Sequence, residues 1–258
     1  MTPPNQLLLQ IWLIFQRAMR QSLRNPVWVI IGIVQPVLYL TLFGPLLQPL
    51  VAATPGFPPG DAYQVLVPAL LVQLGMFGSL FAGFSLIQEY RTGVVERMRV
   101  TPVSRTALLL GRSMRDVVVL VVQGILLTLV AMLFGLRAPP LGIAVALVLV
   151  AVVAVATSAA SYAMALLVKS EEALGPLLNA IVIPLLLLSG ILLPMTLAPA
   201  WLFALSRLNP FAYVVDAERA AFQGAVVSGT VGLGLAVAVG VAALTVAWGV
   251  RTFHRESA

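Results

Sequence analysis

The sequence contains no cysteine and one histidine, and Lys169 is the only lysine among its 15 basic residues. Without thiols there is no disulfide framework, no thiolate metal site and no iron–sulfur ligand set. His254 lies in the C-terminal tail, where it cannot join a histidine-based metal or proton site inside an apolar segment. Charge is scarce: 9% of the 258 residues are charged, against 60% hydrophobic. A soluble domain of this size needs far more polar surface, so composition marks an integral membrane protein. The mean hydropathy of +1.04 agrees.

Several catalytic patterns are also missing. A phosphate-binding P-loop needs Gly-Lys followed by Ser or Thr. Lys169 precedes Ser170 but follows Val168, so the chain has no P-loop. There is no His-Glu-x-x-His and no Gly-x-Ser-x-Gly. The neighbouring carboxylates Glu171 and Glu172 suit a solvated turn between helices better than an acid/base pair, because no partner residues can be named for them. Asp216 and Glu218 form the other such pair. These absences point away from an enzyme. No positive charge precedes Arg17 and no small-residue cleavage site follows a short apolar core, which argues against a secretory signal peptide.

What is present is a set of apolar runs. About 20 apolar residues cross a bilayer as a helix, and six spans can be drawn at roughly 27–47, 64–87, 115–136, 141–168, 174–194 and 229–250. The expected fold is therefore an all-α integral membrane bundle, with no linker dividing residues 1–258. The basic residues orient it. With the N-terminus inside, 12 of the 15 basic residues face the cytoplasm, and only Arg137, Arg207 and Arg219 face outward. Both termini are thus expected to be cytoplasmic. Arg-rich cytoplasmic loops account for the isoelectric point near 10.5, and no nucleic-acid partner is needed to explain it. The preference for Arg over Lys, with abundant Ala and Val, suits a GC-rich bacterial genome and hence a bacterial plasma membrane.

Three segments stand apart from the spans. In residues 1–26, Gln6, Gln10, Arg17, Arg20, Gln21 and Arg24 share one narrow helical face. Leu8, Leu9, Ile11, Trp12, Ile14 and Phe15 cover much of the rest, the pattern of a helix lying in the membrane interface. The segment 195–228 is too broken by proline and charge to span and too apolar for a free loop. Short re-entrant or capping helices fit both facts, and a plain connecting loop is the alternative. Residues 88–105 hold Glu89, Arg91, Glu96, Arg97, Arg99 and Arg105 between two apolar runs. Such an island either enforces topology and binds anionic lipid or docks a soluble partner. The interspersed Glu89, Glu96 and Asp116 favour docking, since topology requires positive charge alone. Val95 and Met98 would form the apolar edge of a short helix ended by Pro102.

Within the spans, Gly75, Ser79 and Gly83 recur on one face, as do Thr157 and Ser161, and Gly232, Ala236 and Gly240. These are faces for close helix packing within a subunit or across a dimer. No ionisable residue falls in the middle of a predicted span, which argues against a proton- or sodium-coupled carrier. Gln35, Gln73, Gln123 and Asn179 are the polar candidates for a transport path, with Gln73 and Gln123 the stronger. Gln35 precedes Pro36 and can satisfy backbone freed by a kink.

The run Glu89-Tyr90-Arg91-Thr92-Gly93-Val94-Val95-Glu96-Arg97-Met98-Arg99-Val100-Thr101-Pro102-Val103-Ser104-Arg105, with Leu109-Leu110-Gly111-Arg112 after it, resembles the cytoplasmic signature of ABC-2 type permeases. Ser189-Gly190, Leu193-Pro194, Pro199-Ala200-Trp201-Leu202, Asn209-Pro210-Phe211 and Arg219 resemble the family's external stretch in the same order. The nearest likeness is to the drug-resistance branch, similar to daunorubicin-exporter permeases. Val94 departs from the family's usual threonine. The resemblance implies a homodimer of six-span subunits, each with an interfacial N-terminal helix and a cytoplasmic coupling helix within 88–114. It further implies two copies of a separate ATPase, which binds the ATP and magnesium, so that this chain carries no cofactor of its own. Glu89, Arg91, Gly93, Glu96, Arg97, Arg99, Pro102 and Arg105 would form the coupling element. Trp201, Asn209, Pro210, Tyr213 and Arg219 would form an external gate. The expected activity is export of an apolar or amphipathic compound by alternating access. A permease for a lipid-linked polysaccharide, or a non-transporting scaffold or immunity protein, is the alternative.

Overall fold

Capping residues and prolines set where the apolar runs become helices. In the computed structural model, residues 4–24, 27–53, 60–91 and 104–255 are described, and among them helix dominates and no strand occurs. Helix α1 runs Pro4–Arg24, α2 Val27–Ala53, α3 Ala62–Leu80 and α4 Ala82–Arg91. They are followed by α5 Arg105–Leu133, α6 Pro140–Val168 and α7 Glu171–Leu188. A 3-10 turn at Met195–Leu197 leads into α8 Ala200–Ser206, α9 Pro210–Phe222 and α10 Gly229–Arg255.

Asp61 starts α3 with a capping box: its carboxylate accepts from the Ala62 amide at 2.7 Å, and its own amide donates to Gln64 Oε1 at 3.2 Å. Gln64 Nε2 also donates to the Arg137 carbonyl at 2.5 Å, which ties the start of α3 to the α5–α6 connection. Helix α6 ends at Lys169, whose φ of 54° is left-handed and whose amide returns to the Ala165 carbonyl at 2.9 Å. Ser170 then caps α7, and Glu171 and Glu172 occupy the first turn, where the helix dipole favours acid.

Among the described residues six stretches are long and apolar enough to cross a membrane: Val29–Val51, Ala62–Glu89, Thr106–Leu133, Pro140–Val168, Glu171–Leu188 and Gly229–Phe253. The all-α, six-span expectation holds, with two corrections to the span ends. The third span begins at Thr106 and not near 115, so Arg112, expected outside the span, and Arg115 and Asp116, expected at its edge, all lie well inside the helix. The fifth span, α7, stops at Leu188 and not near 194, and Ser189–Pro194 are not helical.

Helix α6 is central, packing against α3, α4, α5, α9 and α10. Its contact with α3 is built from small residues. The Ser79 and Thr157 hydroxyls hydrogen-bond each other, and Thr157 Oγ1 lies 3.2 Å from the Gly75 carbonyl. The span Ala62–Glu89 breaks at Phe81, between α3 and α4. Ser161 bridges the break: its Oγ accepts from the Gly83 amide at 2.9 Å and donates to the Leu80 carbonyl. Backbone groups freed by an interruption inside an apolar bundle must find partners there, and one serine of α6 supplies both. A β-carbon at Gly83 would lie 2.6 Å from the Ser161 carbonyl oxygen, so this approach requires glycine. By contrast, Gly232, Ala236 and Gly240 face outward from α10, with nothing within 4 Å of either glycine's β-position. That stripe is open to a neighbour outside the subunit.

Helix α1 lies against the start of α5. The Ser104 amide donates to Gln10 Oε1 at 2.9 Å, and a β-carbon at Gly111 would come 2.8 Å from the Ile11 carbonyl. Leu8, Leu9, Trp12 and Leu13 remain exposed. Gly249 of α10 approaches Leu109 and the Ala159 carbonyl. The helix nearest each terminus, the end of α4 and the start of α5 therefore share one end of the bundle. The start of α3, the α5–α6 turn and α9 share the other, called distal here.

Replacing Gly83 by Leu is expected to destabilise the protein by roughly 1–3 kcal/mol through overpacking. Gly240→Ala, in open space, should be neutral or gain roughly 0.5–1 kcal/mol from helix propensity. Thermal unfolding in detergent distinguishes them, and equal effects would contradict the packing described.

Candidate functional site

Helices α1, α2, α3, α4 and α5 do not close against one another completely. They leave a cleft of about 1020 Å³ that starts at the terminal end. Its mouth carries Arg17, Glu89, Arg112, Arg115 and Asp116, and its walls include Phe77, Phe81, Phe84 and Leu120. Gln35, Gln73 and Gln123 line it more deeply. From Arg112 to Gln123 a helix rises about 16 Å at roughly 1.5 Å per residue. That is about half the 30 Å hydrocarbon thickness, so the amides sit near mid-depth if α5 stands upright.

Three of the four transport-path candidates thus meet in one cleft. Asn179 does not: it is exposed on α7 and forms no part of the lining. Gln123 Nε2 donates to the Val29 carbonyl at 2.5 Å, which fixes the amide's orientation and holds α2 against α5. Its Oε1, like Gln73 Oε1, is buried with no hydrogen-bond partner. Both glutamines are 3% exposed. Such acceptors carry a desolvation cost of about 1–3 kcal/mol each when unmatched. A floor of this kind favours a ligand or water bearing donors.

The mouth is a paired charge cluster. Arg112, on α5, bridges to Glu89, on α4. Arg115 Nη2 lies 3.2 Å from Asp116 Oδ1, and the Tyr162 hydroxyl of α6 donates to Asp116 Oδ2 at 2.8 Å. Ser158 of α6 reaches Ser113 at 2.9 Å. The cluster therefore joins α4, α5 and α6 where the island 88–105 enters the bundle. Glu89 is placed in it, and Arg91 is exposed at the end of α4. Gly93, Glu96, Arg97, Arg99 and Pro102 lie outside the described residues, as does the Arg105 side chain.

The residues expected as an external gate make mostly structural contacts. Asn209 caps α9, accepting from the Phe211 amide at 3.0 Å while donating to the Leu185 carbonyl at 2.6 Å. Pro210 occupies the first turn of α9. The Tyr213 hydroxyl donates to the Arg207 carbonyl at 3.0 Å, and Arg207 pairs with Asp216 at 2.8 Å. Arg219 is buried, donating to the Val65 carbonyl at 3.3 Å and to Gly190 at 2.7 Å. Burial pulls its guanidinium down to about 10, with Asp216 acting the other way. Trp201 alone of the five is widely exposed.

The family model for ABC-2 type transporters matches residues 9–222. The chain belongs to that family. A chain of Cyanophora paradoxa named as a transport permease, ycf38, is 28% identical over 212 residues, 81% of this chain and 73% of the relative. The daunorubicin resistance ABC transporter permease protein DrrB1 of Streptomyces coeruleorubidus is 26% identical over 244 residues, 94% of this chain and 85% of the relative. A ycf38 chain of Porphyra purpurea is 26% identical over 218 residues, 83% of this chain and 74% of the relative. This ABC-2 chain is accordingly a membrane protein of a transport-permease family.

Sequence reasoning missed the partners within this chain. Asp116 figures there as part of the island, yet it is buried against Tyr162, and nothing in the spacing pairs residues 46 positions apart. Arg112 appears there only as the end of a motif. Because Arg112 is buried and Glu89 largely so, Arg112→Leu should cost about 3 kcal/mol by removing the guanidinium that the carboxylate bonds. Adding Glu89→Leu should recover much of that loss. A double-mutant cycle on thermal unfolding checks this, and strict additivity would mean the two side chains do not interact.

Proposed function

We propose that this chain is the permease subunit of an ATP-driven exporter, working as a homodimer with two copies of a separate ATPase in a bacterial plasma membrane. The supporting observation is the cleft: an apolar pocket with an amide floor near mid-depth and a charged mouth next to the island 88–105. On this reading the terminal end is cytoplasmic, which the distribution of basic residues supports. The compound enters at the charged mouth, its apolar body lies against Phe77, Phe81 and Phe84, and its donors meet Gln73 and Gln123. An amphipathic small molecule suits that lining, and the relative named for daunorubicin resistance favours the same class.

ATP and magnesium belong to the partner. The coupling element comprises Glu89, Arg91, Gly93, Glu96, Arg97, Arg99, Pro102 and Arg105. Closure of the ATPase dimer would push on that element, and the Glu89–Arg112 link would carry the displacement from α4 into α5. The Asp116–Tyr162 bond extends it to α6. Trp201, with Asn209, Pro210, Tyr213 and Arg219 of the α8–α9 region, would form the external gate.

The tagged protein, extracted in mild detergent, should copurify with a soluble ATPase in stoichiometric amount. Reversing the charges of Glu96 and Arg97 together should abolish that association without reducing membrane insertion. Copurification with no ATPase, under conditions that preserve comparable complexes, would overturn the assignment.

A further inference from the structure

Glu218 is 0% exposed, and neither of its carboxyl oxygens has a hydrogen-bond partner. Helical spacing puts it on the same strip of α9 as Phe211, Val215 and Phe222. Phe222 packs with Leu66 and Leu70 of α3 and with Ala146 and Val150 of α6. Phe211 and Val215 pack with Ala69 and Val72 of α3 and with Leu149 of α6. The carboxyl is thus sealed in an apolar junction of three helices.

The charged groups nearby are all otherwise engaged. On α9, Arg219 is turned to the Val65 and Gly190 carbonyls, and Asp216 is held by Arg207. Helix α3 offers Tyr63, with Asp61 at its cap bonded to the α3 backbone. The distal halves of α6 and α10 contain no titratable residue. An isolated carboxylate cannot be held in such a place at tolerable cost, and a group so buried neutralises instead. Burial accordingly pushes the Glu218 carboxyl well above the usual carboxylate range.

We propose that Glu218 is a proton-binding site: its carboxyl stays un-ionised while α9 is packed against α3 and α6, and gives its proton to water when that packing is lost on unfolding. The step is a simple dissociation, one carboxyl O–H giving one carboxylate and one hydrated proton, reversed on refolding. Packing around Glu218 is therefore linked to pH: acid favours the folded form and alkali the unfolded one. That this linkage bears on transport rests on the proposed function, whereas the protonation state of Glu218 does not.

The test uses the full chain in detergent and needs neither ATPase nor cargo. Infrared difference spectra of the parent against Glu218→Gln should show the carbonyl stretch of an un-ionised carboxyl at neutral pH, absent from the variant. Stability should also depend on pH. The unfolded chain loses this proton near the ordinary value of about 4.3, while the folded chain keeps it, so stability falls as pH rises above that value. The slope approaches about tenfold in the folding equilibrium per pH unit until the folded group ionises. In Glu218→Gln, or in Glu218→Leu should the amide fail to fold, that component of the slope should vanish. A carboxyl already ionised at neutral pH, or a pH slope equal in parent and variants, would overturn the proposal. An ATPase-free preparation that passes this test leaves the site standing even if the exporter reading fails.

Discussion

The architecture depends on how closely α3 and α6 approach. A span that breaks at Phe81 exposes a carbonyl at Leu80 and an amide at Gly83 in a place where water cannot serve them. Ser161 serves both, but only because Gly83 lets the two backbones come together. With the break satisfied, α4 can leave the axis of α3 and carry Glu89 to Arg112. Ser79 and Thr157 fasten the same seam one turn further along. The charged mouth, the cleft and the exit of the chain toward residues 92–103 are all positioned by this junction of small residues.

Polar groups in the bundle follow two different rules. At the terminal end the charges are paired: Arg112 with Glu89, Arg115 with Asp116, and Asp116 again with Tyr162. Pairing makes burial tolerable and makes each helix sensitive to its neighbour's position. Deeper in, the glutamines keep acceptors that nothing in the protein satisfies. Unsatisfied groups in a native interior call for a reason, and a path that must pass donor-bearing cargo without holding it tightly is a physical one.

Much of this was legible in the sequence, for identifiable causes. Apolar runs gave the six spans, and the spacing of Gly75, Ser79, Gly83, Thr157 and Ser161 marked the faces that meet. Gln73 and Gln123 stood out because amides are scarce in apolar helices. The ion pairs are hidden because the uninterrupted apolar run begins only near 115 whereas α5 begins at Arg105, which leaves Arg112 outside the expected span and Arg115 and Asp116 at its very edge. Glu218 was hidden for another reason. The segment 195–228 reads as short helices or a connecting loop without saying which way Glu218 points, and only packing reveals that α9 turns it inward. Asn179 shows the converse: a polar residue on an apolar helix looks like lining until the helix is seen to face it outward.

The absence of native cysteine permits a direct test of the account's central claim, that the amide floor opens to water at the terminal end. Single cysteines at Gln73 and Gln123, with a third at buried Leu149 as reference, would be exposed to a small membrane-impermeant thiol reagent in vesicles of each orientation. Reaction at 73 and 123 only when the terminal end faces the reagent, with none at 149, is the predicted result. Protection at 73 and 123 equal to that at 149 from either side would mean the cleft is closed to water and is not a path.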